Sequence, residues 1–156
     1  MTSFDCRDNR SFDLASEAAK RIKSALRYLE SALPREANEL RNRASVLSVC
    51  MLAARVIEAK IPRETAPRFG AFIPQFFADL TAEVEKGAKA TEADLLRYQE
   101  AISYGSTGGD SIGQRLRILS RRLVTFDPAF NAVLRTGDGD GGTATALESM
   151  AEELAP

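Results

Sequence analysis

FGAFIPQFFADLTAEV, residues 69–84, decides the fold class. Phe69, Phe72, Ile73, Phe76, Phe77, Leu80 and Val84 fall at i, i+3, i+4, i+7, i+8, i+11 and i+15, the apolar stripe of a buried α-helix. Pro74 lies inside this run with its ring opposed to the Gly70 carbonyl, so a kink or a restart is expected there. Gly87 supplies a C-terminal stop.

The same period extends in both directions. Upstream, SVLSVCMLAARVIEA belongs to a helix running from near Asn42 to Lys60 and ended by Pro62. It is apolar on most sides, so it is expected at the centre, packed by neighbours on several faces, with Val49 and Cys50 in the core. Before it, Leu14, Ala18, Ile22, Leu26, Leu29 and Leu33 read as one stripe of an amphipathic helix capped by Ser11 or Asp13 and stopped by Pro34. Downstream, Thr91–Asp94 and Ser111–Gln114 read as capping boxes. The first opens a helix through Leu95, Tyr98 and Ile102, and the second one through Ile112, Leu116, Leu119 and Leu123. Asp127-Pro128 starts a short helix with Phe130, Val133 and Leu134. The expectation is an all-α, single-domain bundle of five to seven helices over residues 1–136. A Gly/Asp linker at 137–142 and an acidic amphipathic helix at 143–156 follow, the latter with Leu147, Met150 and Leu154 on one side.

Composition restricts the chemistry. The chain of 156 residues has no histidine, which removes Ser-His-Asp and Cys-His nucleophilic sites and histidine zinc sites. Two cysteines, Cys6 and Cys50, read as reduced thiols of a cytoplasmic protein. The Val46–Ile57 run is too short and too polar for a bilayer, so no membrane contact is expected. Asp138-Gly-Asp140 opens like a calcium loop, but Gly142 and Ser149 stand where further ligands are needed. Gly105–Ser111 is Gly-rich ahead of a helix, a place competent for an anion, yet it lacks the Lys-Ser/Thr pair of a P-loop. No catalytic, cofactor-binding or metal-ligating residue is assigned.

The net charge of −1 is unevenly spread. Residues 1–60 hold 11 Lys and Arg against 8 Asp and Glu, and residues 61–156 hold 10 against 14. The helix at 112–124 carries Arg115, Arg117, Arg121 and Arg122 with no acid. With Ile112 as origin and about 100° per residue, its Leu stripe stays within about 40°. Arg115 and Arg122 fall on one flank near 280–300°, and Arg117 and Arg121 near 140–180°. These four arginines with Ser111 are the candidate anion or nucleic-acid contacts; Arg21, Lys23 and Arg27 on the first helix form a secondary basic face. Convergence of the two faces would favour nucleic acid.

Two segments, RNRASVLSVCMLAARVIEA (41–59) and LLRYQEAISYGSTGGDSIGQRLRIL (95–119), with a Phe-rich helix between them, carry a family likeness. In this order they resemble the C-terminal helical region of GmrSD-type defence proteins, which have a ParB-like nuclease N-terminal domain. Asn42-Arg43-Ala44 matches that family's Asn-Arg-Ala/Ser helix start, and Ser106-Thr107 through Arg122 its turn and Arg-rich helix. The likeness spans about residues 42–124. The family's Asp-Gly-Gln-Gln-Arg motif is absent, so nuclease or NTPase activity is not implied. The resemblance implies an accessory helical domain. The expected function is a non-enzymatic interaction module, with a protein partner or self-association, in a bacterial defence or DNA-associated system. A homo-oligomerisation or adaptor domain without nucleic-acid contact is the first rival, and a small carboxylate-dependent enzyme the second.

Overall fold

The computed structural model describes residues 15–33, 40, 42–103 and 109–136. The expected linker at 137–142 and helix at 143–156 lie outside these residues, as does the Gly105–Thr107 turn. The fold is all-α: five α-helices and three 3-10 segments, with no strand among the described residues.

Helix α1 (Glu17–Ala32) starts later than expected, with the Ser16 side chain accepting from the Ala19 N–H at 3.2 Å. Its buried residues are Ala19, Ile22, Ala25, Tyr28 and Leu29. The expected stripe stepped 14, 18, 22, 26, and each i+4 step drifts about 40°. Leu26 has therefore turned outward, and is 51% exposed. Leu33 is extended (ψ 141°), as the residue before Pro34 should be.

Helix α2 (Arg43–Glu58) starts next to Asn42, whose side chain caps it by accepting from the Ala44 N–H at 2.8 Å. Lys60 takes a left-handed φ of 55°, and the Lys60 and Ile61 N–H groups return to the Ile57 and Val56 carbonyls. That is a Schellman stop without its usual glycine. Val49 is fully buried, whereas Cys50 is half-buried and only flanks the core.

Helix α3 (Ala66–Glu85) runs through Pro74 without the expected restart. Burial of Phe69 to Ile73 on one side and of Phe76 to Leu80 on the other holds the helix across the missing hydrogen bond. Gly70 meets the end of α1 so closely that a Cβ would lie 1.8 Å from the Ala32 carbonyl oxygen. Val84, expected on the stripe, is exposed; Glu83 turns inward instead and is only 2% exposed. Its carboxylate accepts from the Glu92 N–H at 2.7 Å, the Thr91 N–H, and the Lys86 ammonium at 2.5 Å. It holds the N–H groups that precede helix α4 (Ala93–Ser103). The Glu92 carbonyl accepts from Leu95 and Leu96, so the helix boundary falls at Glu92 rather than at Thr91.

Helix α5 (Gly109–Phe126) begins two residues before Ser111, which sits inside its first turn and not at its cap. The Asp127 side chain, accepting from the Ala129 N–H at 3.0 Å, opens a 3-10 helix at Pro128–Arg135, as the Asp-Pro pair predicts. Of its apolar residues Phe130 and Val133 are buried, and Leu134 is exposed.

The helices α1, α2, α5 and α3 pack in a ring in that order. Each of α2 and α3 touches both α1 and α5, which places α1 and α5 at opposite corners. Helix α4 covers the α3–α5 edge and the terminal 3-10 helix the α2–α5 edge.

Two predictions follow the packing. Gly70→Ala gains about 0.5–1 kcal/mol of helix propensity, but forcing its methyl against a backbone carbonyl costs about 1–3 kcal/mol. A lower urea midpoint with an unchanged m-value is the expected outcome. Glu83 is held well below the ordinary 4.5, at about 2, chiefly by the Glu92 N–H and then by Lys86. A depressed carboxylate stabilises the fold fully above pH 4.5, and that stability drains away as the pH falls through about 2. Thermal melts of Glu83→Gln should therefore lie below the parent by a constant gap from pH 7 to 5, and the gap should close between pH 4.5 and 2.

Candidate functional site

The ring of helices separates the basic residues singled out in the sequence. Arg21 pairs with Glu58 at 3.6 Å, and Lys23 and Arg27 are exposed on α1. Arg117 and Arg121 are exposed on the outer face of α5, at the opposite corner. The two basic faces do not converge.

Arg115 corrects the reading of α5. It is 0% exposed, not a surface contact. The buried arc of α5 runs from Ile118 near 240°, through the Leu stripe, to Ser120 near 80°, far wider than the stripe alone. The cause is α4, which lies along the 280–300° flank. Its Tyr98 lies near enough to Arg115 to interact with it electrostatically, and the neighbouring Glu92 binds Arg122 at 2.7 Å. On the other flank Arg55 of α2 donates to the Ser120 hydroxyl at 3.4 Å. Before its last turn, α5 leaves to solvent mainly the arc holding Arg117 and Arg121; the last turn also exposes Thr125 and Phe126.

Arg115 belongs to a polar cluster inside the bundle. The Tyr98 hydroxyl lies beside Ser48 and Ser45 of α2. Burial pushes the Tyr98 pKa up, an effect countered by the two serines and by Arg115; burial likewise lowers that of Arg115. Ser45, Ser48, Tyr98 and Arg115 are all buried. The cluster ties α2, α4 and α5 together at one buried point.

An accessible groove of about 160 Å³ lies elsewhere, between α3 and α5 with α4 at its edge. Phe72, Phe76, Leu95 and Phe126 make its apolar floor. Phe72 packs against Phe76 at 5.8 Å and against Phe126 at 5.6 Å between ring centroids, and Phe76 stands edge-on to Tyr98 at 5.0 Å. Phe126 is nevertheless 44% exposed. Gln75 and Asp79 line the α3 wall, joined by a 2.8 Å hydrogen bond from the Gln75 amide. Arg122 and Thr125 line the α5 wall.

Of the candidate contacts only Arg122 reaches this groove; Ser111, Arg115, Arg117 and Arg121 do not line it. Gln75, Asp79, Thr125 and Phe126 carried no signal strong enough to find. Phe126 falls near 320° on the α5 wheel, within the Leu arc, and periodicity alone assigns it to the core. Its exposure depends on which neighbour covers the end of the helix, a tertiary fact. Gln75 and Asp79 were legible only as an i, i+4 polar pair beside the Phe stripe.

Among the described residues no three His, Cys, Asp or Glu side chains come together as a metal site, and no helix is long and apolar enough to cross a membrane. The chain matches no protein-family model, no curated protein and no solved structure.

The burial contrast along α5 is measurable. Arg115→Ala should cost more than about 2 kcal/mol in chemical denaturation, because it removes a long side chain packed on every side. Arg117→Ala should stay within about 0.5 kcal/mol of the parent.

Proposed function

We propose that this chain is a non-catalytic helical interaction module that docks a partner protein in the α3–α5 groove. One observation carries this reading: an aromatic floor with a large ring left 44% exposed at its mouth, rimmed by polar side chains. A large apolar anchor held in a pocket and surrounded by a polar rim is the common anatomy of an interaction hot spot. The carboxylate-dependent enzyme would need three convergent carboxylates, and among the described residues no such group comes together. A place for such a module in a bacterial defence or DNA-associated system rests on the likeness of residues 42–124 to the GmrSD-type helical region, and on nothing else.

Amide NMR titrations with amphipathic helical peptides of differing charge test the groove. At least one peptide should shift the Asp79, Thr125 and Phe126 signals saturably, and Thr125→Arg, which fills the groove, should abolish the effect. Shifts of the same signals that track protein concentration alone, with a rising mass in light scattering, would replace the partner with a second copy. A DNA duplex at low salt that moves Arg117 and Arg121, with every peptide silent, would transfer the function to the outer face of α5.

A further inference from the structure

The groove's size and charge narrow the chemistry of what it takes, an inference that rests on the groove being the docking site. A space of about 160 Å³ matches one large side chain, since cavities near 150 Å³ hold a single benzene ring. It does not hold a row of anchors. The occupant therefore presents one aromatic or branched aliphatic residue to Phe72, Phe76 and Phe126.

The charges on the two walls are not equivalent. Arg122 on the α5 wall is already matched by Glu92 at 2.7 Å. Asp79 on the α3 wall accepts a hydrogen bond from the neutral Gln75 amide, and no cation among the described residues pairs with it. The uncompensated charge at the mouth is thus a carboxylate. The exposed Phe126 ring beside it adds a face that also attracts cations. An acidic segment would meet Asp79 with no free counter-charge, which opposes the wrong partner as well as favouring the right one.

We propose that the groove recognises a basic amphipathic helix of a partner protein, with one large apolar anchor seated on the Phe floor and a Lys or Arg one turn away against Asp79. Helix-in-groove docking places an anchor and a cation at i and i+3 or i+4 on the same face, which fits a groove built between two helices.

The test uses the full chain and labelled synthetic helices, each with a single Leu or Phe anchor and flanked by Lys, by Glu or by Gln. Fluorescence anisotropy at low salt should give the Lys peptide about tenfold tighter binding than the Glu peptide, a preference that shrinks as salt is raised. Asp79→Asn should weaken the Lys peptide by up to about fivefold and leave the Gln peptide unchanged, as expected for one exposed charge pair. Replacing the anchor by Ala should cost at least about tenfold for every peptide. Glu or Gln peptides binding as tightly as the Lys peptide, or a Lys preference that survives Asp79→Asn, would overturn the proposal. If those peptides still lose binding to Thr125→Arg, the groove remains a docking site and only the partner's charge is wrong. Failure of all three peptides would remove both readings. Asp79 is exposed, so unchanged thermal melts of Asp79→Asn and Thr125→Arg separate lost recognition from lost folding.

Discussion

Most of the molecule depends on the aromatic row along α3. Tyr28 of α1 meets Phe69 edge-on at 5.3 Å, and Phe130 of the terminal 3-10 helix meets the same ring at 6.3 Å. Phe126 of α5 meets Phe72, and Tyr98 of α4 meets Phe76 and Phe77. Each neighbour of α3 thus contributes a ring to a residue spaced three or four positions from the last. Such pairs contribute about 0.5–1.5 kcal/mol each beyond the burial of their area, and they fix orientation as well as proximity. Helix α2 lies diagonally across the ring of helices and has no ring to offer. It fills the other side with Ala44, Ala53, Ala54 and serines, small enough to let α1 and α5 each pack closely against it.

The stripe that sets this row was plain in the sequence because 3.6-residue periodicity reports a one-sided burial. The Asp127-Pro128 start and the Gly87 stop were plain for a different reason. Each supplies a backbone partner or a φ value that few other residues supply. What periodicity cannot report is how many neighbours a helix has. Arg115 looked like a flank residue because a wheel measures the angle from a stripe, and it knows nothing of a second helix laid along that flank. Glu83 was hidden likewise. A carboxylate next to an apolar stripe reads as solvated until the N–H groups of a later turn arrive to hold it.

The groove shows the same limit from the other side. Its floor was legible as core and its opening was not, because the opening is a gap between α3 and the last turn of α5 that α4 leaves uncovered. Exposure of Phe126 is a property of three helices together. Arg122, the single candidate that does line the groove, was chosen for its charge, and its charge is already matched by Glu92. The separation of α1 from α5 by the α2–α3 diagonal likewise keeps apart the two basic faces whose convergence would have favoured nucleic acid.

The Glu83 clamp also bears on the order in which the chain assembles. It joins residues eight and nine positions apart, whereas polar contacts between other elements span 30 for Glu92–Arg122, 37 for Arg21–Glu58 and for Tyr28–Thr65, 59 for Arg68–Asp127 and 65 for Arg55–Ser120. Loop-closure entropy rises by about 0.6 kcal/mol per doubling of length, so closing the longest of these costs roughly 2 kcal/mol more than closing the clamp. Of these polar links the clamp between α3 and α4 is therefore the one whose closure demands least of the unfolded chain. The hairpin it closes brings Phe76, Phe77 and Tyr98 together at little entropic cost, as an aromatic surface against which the other helices can pack.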